Sequence, residues 1–92
     1  MHPGEILRKE LMAPLGLSIT TLAGELRMPV RRVRAIVNGR RSITADTALR
    51  LARYFAMTPQ FWMNLQIAYD LDVATRASAD IIRRDVHPRG AV

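Results

Sequence analysis

Two short apolar patterns of helical period, one on each side of a break of three or four residues, constrain this chain more than any other feature. Both lie in or beside LAGELRMPVRRVRAIVNGRR, Leu22 to Arg41. Ser18 is a good N-cap for the first pattern and sets Leu22, Ala23 and Leu26 on one inward face. After a break at Arg27 and Met28, Pro29 suits the first turn of the second pattern, whose apolar side is Val33, Ile36 and Val37. Asn38-Gly39 is suited to left-handed termination of that helix. Helices that cross steeply need a small side chain where they touch, and Ala23 supplies it.

The same punctuation runs through the rest of the chain. Pro3 can open a helix in which Ile6, Leu7, Glu10 and Leu11 keep a helical rhythm to about Met12, ahead of Pro14 and Gly16. Thr44 caps a fourth helix with Asp46 in its first turn and Leu49, Leu51, Ala52 and Phe55 as the packing side. Thr58-Pro59 opens a fifth, where Phe61, Trp62, Leu65, Ala68 and Tyr69 are spaced three or four apart. No strand alternation or internal repeat is present, so the expected class is all-α, with five helices in one domain of 92 residues. Its expected extent is residues 1–75, followed by a tail, 76–92, in which the apolar pattern weakens after Val73 and the end frays near Pro88 and Gly90. All five aromatics lie between Tyr54 and Tyr69, which suggests an aliphatic first packing region and an aromatic second one.

Charge is segregated. From Arg27 to Arg53 there are eight cations against Asp46 alone, whereas the remainder holds six cations against seven anions. A basic segment this concentrated is the footprint of a polyanionic partner. Cysteine is absent, which removes thiolate and disulfide chemistry, and neither a signal peptide nor an apolar run long enough to span a membrane is indicated, so a cytoplasmic protein with no membrane partner is expected. Catalysis is not expected. The two histidines, His2 and His87, stand at opposite termini, the carboxylates are scattered, and there is no Gly-rich phosphate loop or metal-ligand cluster, so no cofactor or metal is expected.

The two helical patterns and their break have the form of a helix-turn-helix, with the second helix basic on its outer face. The inward set Leu22, Ala23, Leu26, Met28, Val33 and Ile36 leaves Val30, Arg31, Arg34 and Asn38 projecting, with Pro29 at the start. In a DNA major groove, Arg can bond guanine bidentately, Asn can pair with adenine, and Val can touch a thymine methyl. Thr20, Thr21, Arg40 and Arg41 are placed to meet phosphates, which fix register without reading sequence. Arg31, Arg32 and Arg34 spread around the wheel, so some of them must face solvent or phosphates.

In HPGEILRKELMAPLGLS, AIVNGRRSITADTALRLARYF and TPQFWMNLQIAYDL, taken in that order, the chain resembles the HigA-type (VapI-like) antitoxins of the λ-repressor-like helix-turn-helix superfamily, over most of residues 2 to 71. The resemblance implies a five-helix domain, usually a homodimer, that represses its own operon at a palindromic operator in double-stranded DNA. It also implies neutralisation of a HigB-type toxin, a RelE-like ribonuclease acting on mRNA. Carried over by position, Thr20, Thr21, Pro29, Val30, Arg31, Arg34 and Asn38 would make the DNA contacts. Arg27 departs from the pattern, standing at a turn position where glycine is common. Reading two half-sites requires two recognition helices in fixed relation, and Phe61, Trp62, Leu65 and Tyr69 are candidates for the dimer surface or for the second half of the monomer core. Glu5, Glu10 and Glu25 are candidates for meeting a basic toxin. A stand-alone repressor without a toxin is the alternative function, and fold alone does not separate the two.

Overall fold

The computed structural model describes residues 1–90. Among these residues five helices follow one another. The first, α1, covers residues 3–15 as an α-helical turn Pro3–Ile6, a π-helical stretch Leu7–Met12 and a last turn Ala13–Leu15. Next come α2 (Ile19–Leu26), α3 (Val30–Val37), α4 (Ala45–Phe55) and α5 (Pro59–Asp85).

Local chemistry explains where each begins. The Nδ1 of His2 accepts from the Gly4 N–H at 2.9 Å, the Ser18 hydroxyl from Thr21 at 3.0 Å, and the Thr44 hydroxyl from Thr47 at 3.3 Å. Each satisfies an N–H that the helix itself leaves free. Pro3 and Pro59 occupy first turns as expected, but Pro29 is itself the cap of α3, with ψ at 137°, and its carbonyl accepts from Arg32 and Val33.

The first helix does not stop near Met12. A proline inside a helix lacks an N–H and crowds the carbonyl four residues back, here that of Glu10. The turn widens instead: Ala13 donates to the Arg8 carbonyl, five residues back, and the helix carries Pro14 as far as Leu15. Gly16, at φ 66°, closes it in the left-handed conformation.

The expected two packing regions are one. Leu7, Leu22, Val33, Ile36, Ile43, Leu51 and Trp62 belong to a single buried cluster, with Ala23 fully enclosed at the α2–α3 crossing. Thr47, Ala48, Leu51 and Ala52 form the packing side of α4. Leu49 does not, being 60% exposed, because it lies on the far side of the helix from Leu51. Gln66 is buried on α5 and ties the α3–α4 loop to that helix: its Oε1 accepts from the Ile43 N–H at 2.8 Å, and its amide donates to Asp70 at 2.9 Å. One helix contact is backbone to backbone: Gly4 of α1 lies against Ile36 of α3 so closely that a Cβ there would stand 1.8 Å from the Ile36 oxygen.

Past Val73 the helix continues to Asp85 although its apolar pattern weakens. No glycine or proline interrupts residues 60–85, Arg76 pairs with Asp72 and Arg83 with Asp80 along its surface, and the helix stops just ahead of Pro88. This arm gives the molecule its 57 × 22 × 22 Å outline. Of the expected tail, residues 76–85 are helical and Ala91 and Val92 lie outside the described residues.

Candidate nucleic-acid interface

The site is built from α2, the turn after it, and α3. Arg27 ends α2 at φ 57°, ψ 45°, in the left-handed region that a side chain enters at some cost. Its N–H reaches the carbonyls of Ala23 and Gly24, and the Met28 N–H donates to Ala23 at 3.0 Å. Met28 is buried against the core immediately afterwards, so an apolar side chain pins the exit of the turn. Arg27, standing where glycine is common, therefore adopts the conformation a glycine would.

With Leu22, Ala23, Leu26, Val33, Ile36 and Val37 turned inward, α3 presents Arg31, Arg32, Arg34 and Asn38 to solvent. Thr20 and Thr21 are exposed at the start of α2, Pro29 is exposed at the start of α3, and Arg40 and Arg41 are exposed just beyond its end. Val30 is only half available, since part of it packs against the core. Eight of the nine expected contact residues are thus on the surface and only Val30 is half-buried, with the Thr21 hydroxyl also accepting from that of Ser18.

Arg32 was not among the expected contacts. It lines a cleft of about 540 Å³ together with Pro29, Arg31, Ala35 and Arg41, and a neighbouring one with Arg40, Arg41 and Ser42. Its wheel position beside Arg31, on the side of Ala35 and Ile36 that leads to the following loop, was the available signal.

Charge on this face is left uncompensated. Among the described residues, the ion pairs engage Arg8, Lys9, Arg50, Arg76, Arg83 and Arg84. Arg31, Arg32, Arg34, Arg40 and Arg41 have no carboxylate partner in that set. Five uncompensated guanidiniums on one side of a small domain hold a field that attracts phosphate and is weakened by salt.

The end of α3 is braced by the N-terminus. His2 packs edge-on against Tyr69 with ring centroids 4.9 Å apart and lies close to Gly39. Burial pushes the His2 imidazole below its ordinary pKa of 6.5, aided by the N-terminal ammonium and opposed by Asp70 and a backbone hydrogen bond at Arg41. The neutral ring suits its cap, because Nδ1 must keep a lone pair for the Gly4 N–H.

The four candidates for a dimer surface do not stand together. Trp62 is fully buried and is a core residue, so it is corrected from a surface contact. Leu65 is half-buried against the same core, and Tyr69 is half-buried against His2. Phe61 alone keeps a sizeable exposed area, 38%, with its ring edge-on to Trp62.

A family model described as helix-turn-helix matches residues 7–62. The chain is 51% identical over 81 residues to virulence-associated protein I of Dichelobacter nodosus, which covers 88% of this chain and 75% of that one. An addiction module antidote protein of a HigA family from Coxiella burnetii has the same fold at 53% identity and a TM-score of 0.90, over 96% of both chains. The Pseudomonas aeruginosa antitoxin HigA, solved with the higBA promoter, superposes with a TM-score of 0.94 at 43% identity, over 97% of both chains.

Proposed function

The chain belongs to the helix-turn-helix family, within its HigA-like antitoxin relatives and not among enzymes, and from that premise we propose that it is the antitoxin of a toxin–antitoxin module. In this reading it represses its own operon in the cytoplasm and neutralises an mRNA-cleaving toxin of the HigB type. The observation that carries it is the unpaired arginine face of α3, in a fold shared with a P. aeruginosa antitoxin solved with the higBA promoter.

Val30, Arg31, Arg34 and Asn38 would enter the major groove, and Pro29 would approach it at the start of α3. Thr20, Thr21, Arg40 and Arg41, joined by Arg32, would meet the backbone on either side. Residues 1–75 hold all of these groups and are proposed as the DNA-binding domain. A palindromic operator requires two copies. The support for a homodimer is the outer face of α5, where Ile67, Leu71 and Ile82 are each more than half exposed and recur at helical spacing with Ala74 and Ser78.

The test is a salt titration of binding to the upstream DNA of the gene beside a scrambled duplex of equal length, with co-expression of the adjacent reading frame. Selective, salt-sensitive binding together with rescue of growth from the neighbouring product is the expected result. Selective binding without a toxic neighbour would leave a stand-alone repressor, and equal binding to both duplexes would remove the operator reading.

A further inference from the structure

We propose that Arg50 is a positioning residue for operator recognition, acting through the turn between α2 and α3; the inference rests on the operator reading above. Arg50 lies on α4, yet its Nη1 donates to the carbonyl of Leu26 at 2.9 Å and to that of Arg27 at 3.2 Å. Its Nε donates to Asp46 one turn earlier, at 2.6 Å, which holds the guanidinium in place. The last carbonyls of a helix have no partner within it, and here that of the left-handed residue and the one before it are both taken by one cation reaching in from another helix.

The location matters as much as the bonds. The angle between α2 and α3 is set by the conformation of Arg27, which carries a side chain where glycine would be unstrained. That angle fixes how Thr20 and Thr21 stand relative to Arg31, Arg34 and Asn38, so that phosphate and base contacts are made together. Arg50 itself faces a groove lined by Glu25, Leu26, Asp46, Leu49, Arg53 and Tyr54, which shares no residue with the arginine-lined clefts beside α3. Its charge is therefore not a phosphate contact; it fastens the turn to α4 and leaves the reading to α3.

The experiment compares the full chain with Arg50→Met, Arg50→Lys, and Arg50→Met combined with Arg27→Gly. Amide hydrogen exchange is followed at Arg27 and Met28, and affinity is measured for operator and scrambled duplexes across salt. For Arg50→Met the expected result is exchange at Arg27 and Met28 faster by about tenfold or more, with the Gln66 amide on α5 unchanged. Operator affinity falls by roughly tenfold, while scrambled-duplex affinity and the salt slope hold. Arg50→Lys, which keeps the charge but only one donor nitrogen, falls in between, and Arg27→Gly restores most of the operator affinity because the turn no longer needs to be held. Unchanged exchange at Arg27 and Met28 would overturn the clamp whatever the DNA does. Faster exchange with operator and scrambled affinities falling in the same proportion would overturn the positioning role. A wild-type chain that does not prefer its operator would instead refute the operator reading, and the exchange measurement would still decide the clamp.

Discussion

Replacing Gly4 with alanine places a methyl carbon 1.8 Å from the Ile36 carbonyl oxygen and 2.8 Å from its carbon, where ordinary contact begins at 3.4 Å. Both obstructing atoms are backbone, so no rotamer change relieves the overlap, and α1 must move about 1.6 Å away from α3. That shift opens a seam beneath Leu7 and Ile36, which are 1% and 2% exposed. Overpacking costs about 1 to 3 kcal/mol where side chains can adjust. With an unyielding backbone the upper end, about 3 kcal/mol, is expected, a fall in Tm of roughly 12 to 24 °C for a domain of this size. Helix propensity argues the other way, because alanine is favoured over glycine by about 1 kcal/mol in a helix interior. The sign of the change therefore decides between the two effects. Gly24→Ala is the control, since its new Cβ meets nothing within 4 Å, and that variant should be unchanged or up to about 1 kcal/mol more stable. Thermal unfolding by circular dichroism measures both. A Gly4→Ala protein as stable as its parent would refute the claim that the α1–α3 contact is closed by backbone.

Arg34→Ala should lose discrimination at one operator base pair, at about 1 to 3 kcal/mol, whereas Arg41→Ala should weaken binding to every duplex and flatten the salt slope by about one ion; binding titrations across salt and operator variants separate the two. Folding holds the His2 pKa below 6.5, so the unfolded chain takes up that proton more readily, and the stabilisation is present above 6.5 and lost as pH falls through the folded value. Denaturant midpoints measured through that range should show the loss in the parent and not in His2→Asn, which keeps a cap acceptor but does not titrate. Leu51→Ala should destabilise by about 2 to 5 kcal/mol, and Leu49→Ala by less than about 0.5 kcal/mol, because only Leu51 is enclosed; equal losses in chemical denaturation would contradict the assigned face of α4.

The features legible in the sequence are those whose physics is complete within a few residues. Ser18, Thr44 and Thr58 each satisfy an N–H three positions later, and the caps they form stand where the sequence puts them. The inward face of Leu22, Ala23, Leu26, Val33 and Ile36 follows from helical period alone, and so does the exposure of Arg31, Arg34 and Asn38 opposite it. Together these gave the helix count, the helix-turn-helix and the basic face.

Other features depended on which distant surfaces meet. Periodicity admits Trp62 equally to a core or to an interface, and only the packing of α5 on α4 and α1 encloses it. The wheel assigned Leu49 to the apolar side because it counts apolar residues, whereas α4 turns Thr47 and Ala48 inward in its place. Gly4 carries no local signal, since its role is defined by a carbonyl 32 positions away. Nor does Arg50, whose acceptors lie 23 and 24 residues earlier. Local hydrogen bonding and side-chain period are properties of the chain, and they determined the elements; the approach of one backbone to another, and the reach of a cation across helices, exist only once those elements are packed.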